Sequence, residues 1–96
     1  MGSLNHYHNR ICQELSRRGI LYMEEYTVGQ FSIDIYLPEF KRLVEIDGWS
    51  HGLTKGRDKL REQLIVGMRP DLHFVRVKVG TSVREALERI LRYEER

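Results

Sequence analysis

Residues 31–47 read FSIDIYLPEFKRLVEID, and the reading of this stretch decides the fold. Along 31–36, Ile33 and Ile35 point one way while Ser32, Asp34 and Tyr36 point the other, the period of two expected of a strand. Pro38-Glu39 supply turn chemistry. Residues 42–47 alternate again, with Val44 and Ile46 to one side and Leu43, Glu45 and Asp47 to the other. The stretch predicts a β-hairpin closed by PEFK, in which Tyr36 faces Leu43 and Asp34 faces Glu45. Ile33, Ile35, Val44 and Ile46 then form an apolar face. Asp34, Glu45 and Asp47 crowd the opposite face, where paired Cβ atoms stand roughly 4.5–5.5 Å apart.

Working outward, residues 4–18 carry Leu4, Tyr7, Ile11 and Leu15 at helical spacing, with His8 and Cys12 beside them. Arg17, Arg18 and Gly19 provide a helix stop. Residues 20–28 read as a strand, followed by a Gly29-Gln30 turn. The stretch 48–56, GWSHGLTKG, holds three glycines and is expected to be a loop. Residues 54–66 read as a helix with Leu60, Leu64 and Ile65 as its apolar stripe and Gly67 as its stop. Residues 72–79 form a strand. Ser82-Val83-Arg84-Glu85 is a capping-box pattern opening a last helix whose buried side is Val83, Leu87, Ile90 and Leu91. The order α-β-β-β-α-β-α predicts an α/β chain with a mixed sheet, in one domain spanning residues 1–96.

The 96 residues are 41% hydrophobic and 31% charged, which suits a compact globule and argues against a disordered chain. A net charge of +2 says nothing about nucleic acid, so any such partner must be read from where the charges sit. Cys12 is the single cysteine, which rules out an intrachain disulfide and a Cys-rich zinc site. No apolar run is long enough to span a bilayer, and no secretory leader opens the sequence. The expectation is a soluble intracellular protein, of cytoplasm or nucleoid, without a membrane partner.

Like charges placed across a ladder are destabilising, and a hard divalent cation among the oxygens relieves them. Asp34, Glu45 and Asp47 are therefore a candidate Mg²⁺ or Mn²⁺ site. The alternative is an ordinary sheet face whose acids pair with nearby Lys or Arg. His51 follows Asp47 closely enough to fold back as a general base or a ligand, or is simply an exposed loop histidine. Asp58 and Arg61 share a helix face, either as a surface ion pair or as groups that position water and contact phosphate. Lys55, Arg57, Lys59 and Arg61, with Lys41 and Arg42 at the hairpin tip, are candidate phosphate contacts or a solvated face. Trp49 either stacks on a base or plugs an apolar gap.

The segment SIDIYLPEFKRLVEIDGWSHG, then RDKLREQL, then a strand containing FVRV, resembles the very-short-patch-repair-like (Vsr-like) endonucleases of the PD-(D/E)XK nuclease superfamily. The resemblance covers roughly residues 8–79 and rests on D-x₁₀-E-x-D-G-x-x-H followed by D-x-x-R. It implies an αβββαβ core with a C-terminal helix and Mg²⁺- or Mn²⁺-dependent hydrolysis of DNA phosphodiesters. It implies catalytic roles for Asp34, Glu45, Asp47, His51 and Asp58, with the first three holding the metal. Asp47 stands where the wider superfamily often has lysine, His8 stands where the family often has a first-helix glutamate, and Ile33 precedes Asp34 where a proline is usual. The other reading is a non-catalytic DNA-binding or assembly module that keeps the nuclease fold. A homodimer or a targeting protein is the further partner expected, because the sequence contains no separate DNA-reading module.

Overall fold

The computed structural model describes residues 3–48 and 55–92. Its order is α1 (Ser3–Arg17), β1 (Met23–Val28), β2 (Phe31–Leu37), β3 (Arg42–Asp47), α2 (Lys55–Met68), β4 (His73–Lys78) and α3 (Val83–Leu91). The strands form one mixed sheet in the order β1-β2-β3-β4. The β1–β2 and β2–β3 pairs are antiparallel, and β3–β4 is parallel, with α2 as the crossover. Fold class and element order therefore agree with the reading from the sequence. No helix among the described residues is long and apolar enough to cross a membrane.

Helix α1 ends where Arg17, Arg18 and Gly19 predict. Gly19 takes a φ of 72°, its amide donates to the Ser16 carbonyl, and the Ile20 amide donates back to the Leu15 carbonyl. This is the Schellman pattern, which needs a left-handed residue and favours glycine. It folds Ile20 back toward the core, so the strand expected from residue 20 begins only at Met23. Ser82 caps α3 by accepting from the Glu85 amide at 3.1 Å, as the sequence pattern requires. Helix α2 does not stop at Gly67. It runs to Met68, with the Arg69 amide still bonded to the Ile65 carbonyl, and Pro70 ends it by disfavouring helical geometry in the residue before it.

The sheet is covered on both faces. Tyr7, Ile11, Cys12 and Leu15 of α1 and Ala86, Leu87 and Ile90 of α3 pack with Ile35, Leu37, Val44, Ile46 and Val77 on one side. Ile65 of α2 packs with Val28, Ile33, Tyr36, Leu43 and Leu72 on the other. Two expectations fail here. Ile33 does not share a face with Ile35, because β2 rotates between them. Leu60 and Leu64 are 55% and 49% exposed, so α2 buries only Ile65 of its expected stripe. The half-buried positions one turn earlier are Arg61 and Glu62, so the helix turns charged side chains toward the sheet.

Arg42 was expected at the hairpin tip as a phosphate contact and is instead buried. Its Nη1 donates to the carbonyls of Ile90 and Arg92, the latter at 2.7 Å, closing the C-terminal end of α3. Helix ends leave carbonyls without intrahelical partners, and a buried guanidinium satisfies them. Replacing Arg42 by Met should cost about 1.5–3 kcal/mol, the range for hydrogen bonds to a charged group. Urea unfolding at neutral pH checks this. An unchanged midpoint would mean that Arg42 does not anchor α3.

Candidate active site

The β2–β3 ladder pairs Leu37 with Arg42, Tyr36 with Leu43 and Ile35 with Val44, the register expected from the sequence, and then stops. At the next position Asp34 replaces a backbone partner with its side chain: its Oδ2 accepts from the Ile46 amide at 2.8 Å. On its other side, the β1–β2 register skips the Glu25–Asp34 pair, and Glu25 has a φ of 52°. Asp34 thus lies where β2 twists and parts from β3. Phe31 and Ile33 before it pack under α2, whereas Ile35 and Leu37 after it pack under α1 and α3.

Glu45 lies deep beside this gap, with a side chain only 12% exposed. Arg61 grips it with both ends of the guanidinium, Nη1 to Oε1 at 3.0 Å and Nη2 to Oε2 at 3.1 Å. Nη2 also donates to the Ser32 carbonyl, and the guanidinium carbon lies 6.0 Å from the centre of the Phe31 ring. Bidentate, charge-assisted bonds of this kind are strong and directional. Burial nonetheless pushes the Glu45 carboxyl above the usual range. Arg61 opposes that rise, and the nearby Asp34 charge adds to it.

Asp47 closes the row at the end of β3. Its Oδ1 accepts from Arg76 Nη1 at 2.7 Å, and Arg76 Nε donates to Glu62. Arg76 stands beside Glu45 in the parallel β3–β4 register, so one arginine on β4 serves the acids of two elements. A shallow depression of about 300 Å³ opens next to Asp47, lined by Arg76, Val77, Lys78, Thr81 and Arg89. A larger hollow of about 490 Å³ between α1 and α3 is lined by Arg10, Arg17, Arg18 and Arg84, but it lies away from the hairpin acids, and Glu14 binds two of those arginines.

The three acids therefore lie on the two central strands, β2 and β3, but do not crowd as expected. Their oxygens do not all converge within 4.8 Å of one another. Asp34 is tied to backbone, Glu45 to Arg61, and Asp47 to Arg76. Arg61 pairs with Glu45 across the sheet, a partner that its helical spacing from Asp58 does not suggest. Lys59 is exposed. Trp49 and His51 lie outside the described residues, as do the side chains of Lys55, Arg57 and Asp58. Sequence reasoning missed Arg76 and Glu62. Only the parallel register of β3 and β4, which the sequence does not state, sets Arg76 against Glu45.

A carboxyl raised above its unfolded value favours the folded state at low pH and loses that contribution as pH rises through the folded value. Glu45 follows this sign, with Arg61 limiting the loss. Substituting Arg61 by Met should raise the Glu45 carboxyl further, as followed by side-chain NMR titration. A fall, or no change, would show that the guanidinium does not control it. Comparison with known protein families, with curated proteins and with solved structures finds no match to this chain.

Proposed function

We propose that this protein is a metal-dependent DNA endonuclease or nickase whose site is built on Asp34, Glu45 and Asp47. The observation that carries the proposal is the parting of β2 from β3 at Asp34. It sets a carboxylate in the gap of the sheet next to a second, buried carboxylate, Glu45, whose pKa is pushed up by burial and the Asp34 charge and held down by Arg61. A donor set made only of carboxylate oxygens suits Mg²⁺ or Mn²⁺. When bound, such an ion would polarise the scissile phosphate and lower the pKa of a coordinated water.

The residues of the chain divide the remaining work. Asp34 and Glu45 hold the cation. Asp47 completes or adjusts the set, and either Asp47 or His51 takes the proton from the attacking water. Arg61 is the counterion of Glu45, and with a cation on that carboxylate it would be available to neutralise charge building on the phosphate oxygens. Lys78 and Arg89 around the depression beside Asp47 offer cations to the DNA backbone. Lys55, Arg57, Lys59 and Trp49 extend that contact, and Asp58 supports the site from α2. On this reading the protein works inside the cell on DNA, alone, as a homodimer or with a targeting protein.

A second reading has an observation in its favour. Arginines already neutralise Glu45 and Asp47, as in a DNA-binding or assembly module that keeps the nuclease fold without its reaction.

The test must spare the fold. Asp34→Ala strands the Ile46 amide, whereas Asp34→Asn keeps an acceptor and removes only the charge. With Mg²⁺ or Mn²⁺, the wild-type protein should nick supercoiled plasmid or branched DNA and should melt at a higher temperature, because a ligand of the folded state stabilises it. EDTA and Asp34→Asn should abolish both effects. DNA binding without cleavage, and no thermal shift with either metal, would leave the non-catalytic module.

A further inference from the structure

We propose that His8, Cys12 and Glu24 form a second metal site, for a borderline-soft divalent ion of the zinc class, independent of the hairpin carboxylates. His8 and Cys12 are four residues apart on α1 and so lie on one face, one turn above the other. Glu24 comes from β1 beneath them. It pairs with Ile35, whose side chain belongs to the cluster packed under α1. One ligand atom from each residue lies within 4.8 Å of the other two, the only such trio of His, Cys, Asp or Glu among the described residues.

The histidine points to a ligand independently of this spacing. His8 Nε2 is sealed from solvent and has no hydrogen-bond partner. It stands 3.3 Å from Glu24 Oε1, an ion pair only with a protonated imidazole, and without hydrogen-bond geometry. A buried ring nitrogen left unbonded carries a desolvation cost, and a metal ion on its lone pair removes that cost. Cys12 is 5% exposed on the same side, while the Glu24 side chain is 51% exposed. The trio therefore runs from the core to the surface, with a solvent route at the glutamate.

The chemistry of the three donors selects the ion. A nitrogen, a sulfur and an oxygen suit zinc, cobalt or nickel, whereas Mg²⁺ and Ca²⁺ prefer oxygens alone. Tetrahedral bonds of roughly 2.0–2.3 Å hold ligand atoms about 3.3–3.8 Å apart. His8 Nε2 and Glu24 Oε1 already stand 3.3 Å apart, and all three donor atoms lie within 4.8 Å of one another. Binding replaces the Cys12 S–H bond by a sulfur–metal bond, and the proton passes to solvent. Three protein ligands leave a fourth position for water.

The full-length chain titrated with Co²⁺ should bind one equivalent and develop the near-ultraviolet band of sulfur-to-cobalt charge transfer. Zn²⁺ should displace it, and excess Mg²⁺ should not. Cys12→Ser should abolish the band. His8→Gln and Glu24→Gln should weaken binding roughly tenfold or more. Asp34→Asn should leave the band unchanged, which separates this site from the proposed nuclease site. Absence of the band in the wild-type protein overturns the proposal. So does unchanged affinity in Glu24→Gln, a half-exposed position whose substitution leaves the core intact.

Discussion

The bond from the Ile46 amide to the Asp34 carboxylate is the point on which the sheet turns. Up to Ile35 and Val44, β2 and β3 are an ordinary ladder. Beyond it, a side chain stands in for the backbone of β2, and the strands part. Regular pairing would have buried Asp34 between two strands or turned it to one face. The substitution instead places a charged oxygen in the plane of the sheet, and the amide it receives keeps β3 satisfied where its backbone partner is missing. The switch of β2 from one core cluster to the other happens at the same residue, so the gap and the twist are one feature.

Glu45 and Asp47 set the demands on the rest of the fold. A buried carboxylate without a partner costs several kcal/mol, so each requires a cation within reach. Helix α2 meets that demand with Arg61, and β4 meets it with Arg76. The consequence is visible in the packing. The face of α2 turned to the sheet is charged, Leu60 and Leu64 are turned outward, and Ile65 carries the apolar contact. Helices α1 and α3 on the opposite face face no such demand and supply the larger apolar cluster.

These differences mark what the sequence states and what it leaves to tertiary structure. The hairpin register, the order of elements, the Gly19 stop and the Ser82 cap follow from local pattern and backbone chemistry, and each was legible. The rotation of β2 at Asp34 was not, because alternation presumes a straight strand and Phe31-Ser32-Ile33-Asp34-Ile35 alternates without a break. The outward turn of Leu60 and Leu64 was hidden for a related reason: periodicity finds a stripe but does not show which stripe faces the sheet. Arg42 misled because a charged residue near a turn is usually exposed, and the helix end that buries it lies 48 residues away. Of the candidate site, Asp34, Glu45 and Asp47 were legible as neighbours on one ribbon. Their separate counterions were not, since those depend on a parallel pairing with β4.

Among the described residues, the sheet ends in β1 at one edge and β4 at the other, with no further strand paired to either. An open edge is a template on which another chain can add a strand, and a small protein has little to cover it with. The left-handed turn of Glu25 answers this at β1: it breaks the line of backbone groups in mid-strand, where the adjacent charges of Glu24 and Glu25 repel an incoming copy of themselves. At β4 the exposed Lys78 does the same with positive charge. The distortion that accompanies the gap at Asp34 therefore also interrupts the β1 edge, and a variant that straightened β1 would offer a longer run of backbone groups to an incoming strand.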